Sequence, residues 1–374
     1  MSFKAVFWIF VLISSKTYGL LNVGNEVVSL SLEGEIAYNS NLFLNHLEQG
    51  DLVYNFTPGV VWKNQDSVVA KEMELGIRLN RYLEYPEQNS EDYFLSTRFR
   101  YPNNTKSLHS IRSDFELFEY TIEDLFLGAR NRYFEKDLLL EYSFAPDSLQ
   151  IFDATFSLED LNTITGIAAN TDTYVFSIGA SRQQTMNFLY GIKIGQIYYE
   201  TSSFQSTSIK RRFISNQVKY NINTHLNCSL EAILQDRIFS YEGRQVRDFL
   251  PTFSLDLTSK FSSKSTVQFD LILGSRSQSD VAELTSNTFS VGGEHQLRSY
   301  LKAGFHLHFS DITYQDHNQL YREDQVIRFD LDLSHELSET RKYYFYFKQL
   351  LNHSNIPISD FSKTQLGMSI SQIF

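Results

Sequence analysis

The sequence is poor in what marks most folds. One cysteine, Cys228, in 374 residues leaves no intramolecular disulfide. Six prolines leave few breaks for extended segments. Beyond the first residues, no run approaches the ~18 apolar residues of a transmembrane helix, so helical spans are excluded. There is no Gly-x-Ser-x-Gly, no His-Glu-x-x-His, no Cys-x-x-Cys and no glycine-rich phosphate loop. Those absences argue against an enzyme and against a cofactor. A net charge of -11 argues against nucleic acid and for an acidic, solvated surface or lumen.

What is present is aromatic and extended. The chain holds 22 Tyr and 31 Phe, yet its mean hydropathy is only -0.28. Lys4, the apolar run Val6–Ile13 and the small residues Thr17 and Gly19 have the layout of a secretory signal peptide over residues 1–19. Residues 20–374 then form one domain, since no linker-like run divides them.

Period-two alternation dominates that domain. Leu30, Leu32, Gly34, Ile36 and Tyr38 oppose Ser29, Ser31, Glu33, Glu35 and Ala37, as successive strand side chains must. Met73, Leu75, Ile77 and Leu79 oppose Glu72, Glu74, Gly76, Arg78 and Asn80. Later, Val267, Phe269, Leu271 and Leu273 oppose Gln268 and Asp270, and Ile327, Phe329, Leu331 and Leu333 oppose Arg328, Asp330 and Asp332. Ribbons of ~10 residues, apolar outside and polar inside, are those of a transmembrane barrel.

The connections alternate too. Short ones fall at Lys63–Ser67, Ser259–Lys264 and Leu337–Arg341; longer ones fall at Asn39–Gly50, Tyr82–Glu91, Tyr314–Glu323 and Ser354–Ser362. Short periplasmic turns and longer external loops sort in this way in outer-membrane barrels. The last stretch, Lys363 to Phe374, is itself an amphipathic strand ending on an aromatic residue, which makes sense if it closes a ring. The fold expected is all-β: an antiparallel up-and-down barrel of about eighteen strands, with sixteen as the alternative. In this count 124–133 and 137–144 are separate strands. The strand-like Ile151–Leu158 is placed in a long loop, external or folded inward, between 145 and 172.

At EIAYNSNLFL, Glu35–Leu44, and DLVYNFTPGVVW, Asp51–Trp62, the chain resembles the β-barrel porin 2 family. Tyr38, Asn41, Phe43, Thr57, Pro58 and Gly59 carry the likeness. It implies an outer-membrane barrel and little about cargo. Association of some members of the wider group with exopolysaccharide production supplies the runner-up function.

Candidate pore-lining residues follow from the polar faces. Glu33, Glu35, Glu72 and Glu74 set acidic charge against Arg78, Arg98 and Arg100, which would put a transverse field across a lumen. His306 and His308 share one face, with Arg328, Asp330 and Asp332 expected on the neighbouring strand. Two imidazoles and two carboxylates have metal-binding or acid–base chemistry, but a hydrated wall accounts for them, and no catalytic or metal role is assigned. A hydrolase at that cluster and a soluble carbohydrate-binding sandwich are the readings from other classes.

Tyr343, Phe345 and Phe347, with Trp62, Phe99 and Phe374, suit interfacial girdles; Tyr344 and Tyr346 on the other face suit sugar stacking. Pro58 and Pro251 sit where ladder donors are needed and imply bulges or local strand ends. The function expected is an outer-membrane channel for small hydrophilic solutes, the alternative a polysaccharide exit barrel. The partners are outer-membrane lipid, the solute or polysaccharide, and the barrel-assembly machinery through the strand ending in Phe374.

Overall fold

The computed structural model describes residues 21–64, 68–102, 108–124, 129–165, 170–202, 207–241, 244–278, 282–316, 321–338 and 340–374. The expected signal peptide lies outside them. In chain order the strands are β1 (Leu21–Val23), β2 (Glu26–Asn39), β3 (Asp51–Asn64), β4 (Ala70–Tyr82), β5 (Ser90–Tyr101) and β6 (His109–Asp124). They continue as β7 (Ala129–Phe144), β8 (Gln150–Thr165), β9 (Asn170–Thr185), β10 (Phe188–Ser202), β11 (Thr207–Asn221) and β12 (Leu226–Tyr241). The last are β13 (Arg244–Ser262), β14 (Ser265–Gln278), β15 (Ala282–Arg298), β16 (Leu301–Asp316), β17 (Tyr321–Ser338), β18 (Arg341–Ser354) and β19 (Phe361–Ile373).

From β2 to β19 each strand pairs antiparallel with the next, and β19 returns to pair with β2 from Gln365↔Asn39 to Ile373↔Ser31. The eighteen strands close without an open edge, which is how a spanning sheet satisfies its backbone in lipid. Phe374 completes the seam: its N–H donates to the Leu30 carbonyl at 2.7 Å, and Leu30 N–H donates to its carbonyl at 3.2 Å. Just beyond that end, β1 folds back on the β2 edge, Leu21↔Val28 to Val23↔Glu26. Gly24, at φ +61°, makes the tight reversal. One closed sheet is not a sandwich, so that reading falls.

The expected total of eighteen holds, but two strand assignments are corrected. Residues 124–133 and 137–144 are not two strands: β7 runs unbroken through Glu135-Lys136-Asp137. The segment 145–172 is not a loop: β8 occupies Gln150–Thr165, pairs with β7 and β9, and includes Ile151–Leu158. The charged triplet looked like punctuation. In the wall it is held sideways, Lys136 by an ion pair to Asp160 on β8 and Glu135 by the Tyr120 hydroxyl of β6 at 2.5 Å. The expected long loop at Tyr314–Glu323 also shrinks, because β16 and β17 extend to Asp316 and Tyr321.

The outer face is apolar around the barrel. Phe176, Phe253, Phe305, Leu307, Leu331, Phe345 and Leu366 are all exposed there. The prolines act as expected. Pairing of β3 with β4 skips Thr57 and Pro58, and pairing of β13 with β14 stops at Phe253↔Leu273, two residues below Pro251. There Gly274, at φ +70°, turns β14 away, with its carbonyl taken by the Thr252 hydroxyl at 3.1 Å.

Candidate functional site: the inner wall and its cavity

Which face is inside follows from contacts that skip a strand, because side chains converge only on the concave side of a closed sheet. The Tyr346 hydroxyl on β18 reaches Glu35 on β2 at 2.5 Å, across β19. Ser31 on β2 reaches Glu74 on β4 at 3.5 Å, across β3. These residues fix the parity of their strands, and the register carries it round the ring. By that parity Glu33, Glu35, Glu72, Glu74, Arg78, Arg98 and Arg100 share the concave face, as do His306, His308, Arg328, Asp330 and Asp332.

The first seven residues stand on β2, β4 and β5, three strands of one sector. They therefore do not oppose one another across the lumen; acids and bases interleave along one wall. Arg98 pairs onward with Glu116 of β6 at 3.6 Å, and Lys63 of β3 with Glu72 at 3.1 Å.

The second group is also split by its contacts. The His306 and His308 rings stack on each other with centroids 6.3 Å apart. Asp330, in register with His306, is held instead by Arg328, whose Nη2 lies 2.8 Å from its Oδ2. Asp332 lies over Gly304, where an added Cβ would collide with its carboxylate. Among the described residues no group of three or more His, Cys, Asp or Glu is placed to hold a metal ion. A hydrolytic pair at this point would need a carboxylate orienting a histidine. Arg328 has taken the one in register.

Alternation alone did not reveal a cavity of about 370 Å³ on the concave face, in the sector from β19 through β2 to β7. Its roof is Leu42, from the segment 40–50. That segment is fastened by Asn41, fully buried, whose Nδ2 donates to the carbonyls of Asn45 at 2.7 Å and Ser362 at 3.0 Å. Ser362 in turn donates its hydroxyl to Glu48 at 2.7 Å. One of the longer connections is thus folded onto the mouth of the barrel.

Around the cavity the polar groups are preorganised by one another. Asn80 donates to Ser90 at 2.7 Å and to Asp92 at 2.5 Å; both acceptors are buried. Asn55 donates to Glu35 at 2.7 Å. Arg130 donates to the Tyr82 hydroxyl at 2.5 Å and stacks 4.6 Å from that ring. Beneath them Phe94 lies flat against the wall. It can do so because Gly76 is bare, since a Cβ there would meet the ring at 2.5 Å.

Missed in the sequence were Asp92, Tyr120 and Arg130 of this cavity, and the acid group Glu116, Glu135, Asp137 and Glu159. The polar flanks of 84–92 and 120–172 gave no hydropathy signal. Only the i, i+2 spacing of Glu135 and Asp137 pointed to a shared face.

No protein-family model matches the chain, and no curated protein is similar to it in sequence. Among solved structures it is similar to Pseudomonas aeruginosa OpdK crystallised with vanillate, with TM-score 0.53 and 10% identity over 93% of this chain and 99% of that one. It is similar to Pseudomonas aeruginosa OccK2 (OpdF), with TM-score 0.53 and 8% identity over 94% and 98%. Acinetobacter baumannii OccAB3 gives TM-score 0.52 and 8% identity over 94% and 100%. The likeness is one of fold: the chain is a closed eighteen-stranded barrel of the bacterial outer-membrane porin type.

Proposed function

We propose that the protein is an outer-membrane channel for small hydrophilic solutes. One observation carries this reading. Glu33, Arg78, Arg98, Arg100 and Arg328 lie on the concave face of a closed wall and are nevertheless exposed. Water therefore reaches the inside, while the outside is apolar and suited to lipid. Eighteen strands enclose a lumen of roughly porin size.

On this reading the twelve charged and imidazole side chains named from the sequence line the pore, together with Glu116, Asp137 and Glu159. The turns between Ser262 and Ser265 and between Arg298 and Leu301 face the periplasm, and the 40–50 segment narrows the external mouth. The Tyr-x-x-Asn-x-Phe and Thr-Pro-Gly elements support membership of the β-barrel porin 2 family. The strand ending in Phe374 is the recognition element for barrel assembly. A polysaccharide exit barrel, suggested by the family resemblance, is not favoured: the segment 145–172, where it would differ from a solute channel, holds wall strand β8 and not a long loop.

Liposome swelling tests the channel directly. Proteoliposomes carrying the refolded barrel are expected to swell in small neutral sugars, at rates that fall as the sugar grows. A folded barrel that gives no swelling with the smallest pentose would overturn the proposal.

A further inference from the structure

Among the described residues, the cavity under the 40–50 segment has two charged groups that its own wall does not use. Glu35, Asn80, Asp92 and Arg130 are committed to protein partners, as described. Elsewhere on the concave face Arg98 is paired with Glu116, Arg112 with Asp114 and Arg328 with Asp330, while Arg100, outside the cavity, makes no ion pair among the described residues. Glu33 and Arg78 differ. Both line the cavity, both are exposed, and only β3 separates their strands. Among the described residues neither makes a hydrogen bond or an ion pair. They feel each other's charge, and Arg78 feels that of Asp92, across open space.

A wall built only to satisfy its own charges would close this gap, as it does at Arg328. An unclosed gap between a carboxylate and a guanidinium is a receptor for a molecule that carries both signs. The guanidinium fork takes a carboxylate in two parallel hydrogen bonds. The Glu33 carboxylate takes an ammonium. Thr57 of β3, in register with Glu33, lies between the two charged strands, and Ala37, Val53 and Leu42 line the cavity further up toward the 40–50 segment. A simple anion would meet repulsion from Glu33 and Glu35, a simple cation from Arg78, and a neutral sugar would leave both charges unmatched.

We infer that this cavity binds small amphoteric solutes, with Arg78 holding the anionic end and Glu33 the cationic end. The inference rests on the channel reading and names the solute class for it. A volume of about 370 Å³ suits a solute of dipeptide size.

The test compares three probes of one skeleton in proteoliposomes of the refolded chain: glycylglycine, its N-acetyl derivative and its amide. Glycylglycine is expected to enter about fivefold faster than either, the effect of one partly exposed ion pair. Glu33→Gln should erase its advantage over the N-acetyl derivative, and Arg78→Gln its advantage over the amide. Arg78→Lys, which keeps the charge but not the fork, should retain part of the preference. Equal rates for the three probes, or variants that slow all three alike, would overturn the site. Salt current with equal probe rates would sink the site and leave the channel standing. A folded barrel passing neither salt nor probes would sink both.

Discussion

Leu271→Arg is expected to cost about 2–4 kcal/mol of barrel stability, while Gln268→Arg on the same strand costs little. Both residues belong to β14 and lie three positions apart, so they face opposite sides of the wall. Leu271 is in register with Leu255 and Phe289 on its two neighbours, at the centre of the apolar band. An arginine there must leave water for hydrocarbon or drag water in with it. Gln268 is exposed on the concave face, 3.1 Å from Asp270 and 3.5 Å from Asp256. An arginine in its place meets two carboxylates and a wet lumen. Urea unfolding of the refolded proteins in vesicles, followed by Trp62 fluorescence, measures the difference. Equal costs at the two positions would mean that the faces are misassigned or that the barrel does not sit in lipid.

Removal of residues 361–374 should abolish the folded barrel altogether. β19 is paired along its length with β18, from Arg341↔Gln372 to Asn352↔Phe361, and with β2 on its other side. Without it both neighbours present open edges, and each unsatisfied backbone group in hydrocarbon costs several kcal/mol. No single contact loss compares with that. The expected readout is loss of the compact, heat-modifiable band on unheated SDS gels. The shorter removal of Phe374 alone takes away only the reciprocal pair with Leu30, and should weaken the band without erasing it. A truncated chain that still ran as a compact barrel would show that β18 and β2 can close on each other.

The sequence announced this fold where one side of a strand meets lipid and the other meets water. There the two faces must differ, and period two becomes visible, as in Leu30 to Tyr38 or Val267 to Leu273. It fell silent where strands rise beyond the apolar band. In β7 and β8 the outward positions include Lys136 and Asp160, which pair with each other, so both faces are polar and alternation disappears. A strand in that setting is held by its neighbours' backbones, a property its own side chains do not report. That is why 124–133 and 137–144 looked separate, why β8 looked like a loop, and why the two errors cancelled in the strand count.

The site was legible to the same depth. The inward direction of Glu33, Arg78 and their neighbours followed from spacing alone. Their grouping into one sector was legible as well, because β2 to β5 follow one another in an up-and-down barrel, so the expected opposition across the lumen misread that order. The roof over the cavity did not follow from spacing. Asn41 gives no sign in the sequence that its amide will span from Asn45 to Ser362, which lie on opposite sides of the closing seam. The free ends of Glu33 and Arg78 are likewise a tertiary fact, since either would look paired to a reader of charges along the chain.

Single-channel recording tests the central claim most directly. The detergent-purified, refolded chain is added to a planar bilayer in potassium chloride, and current is followed at fixed voltages. An open lumen bounded by a wet, charged wall predicts discrete, steady steps whose current rises linearly with voltage. A barrel verified as folded that inserts and carries no current would contradict the account, because water inside the wall would then lead nowhere.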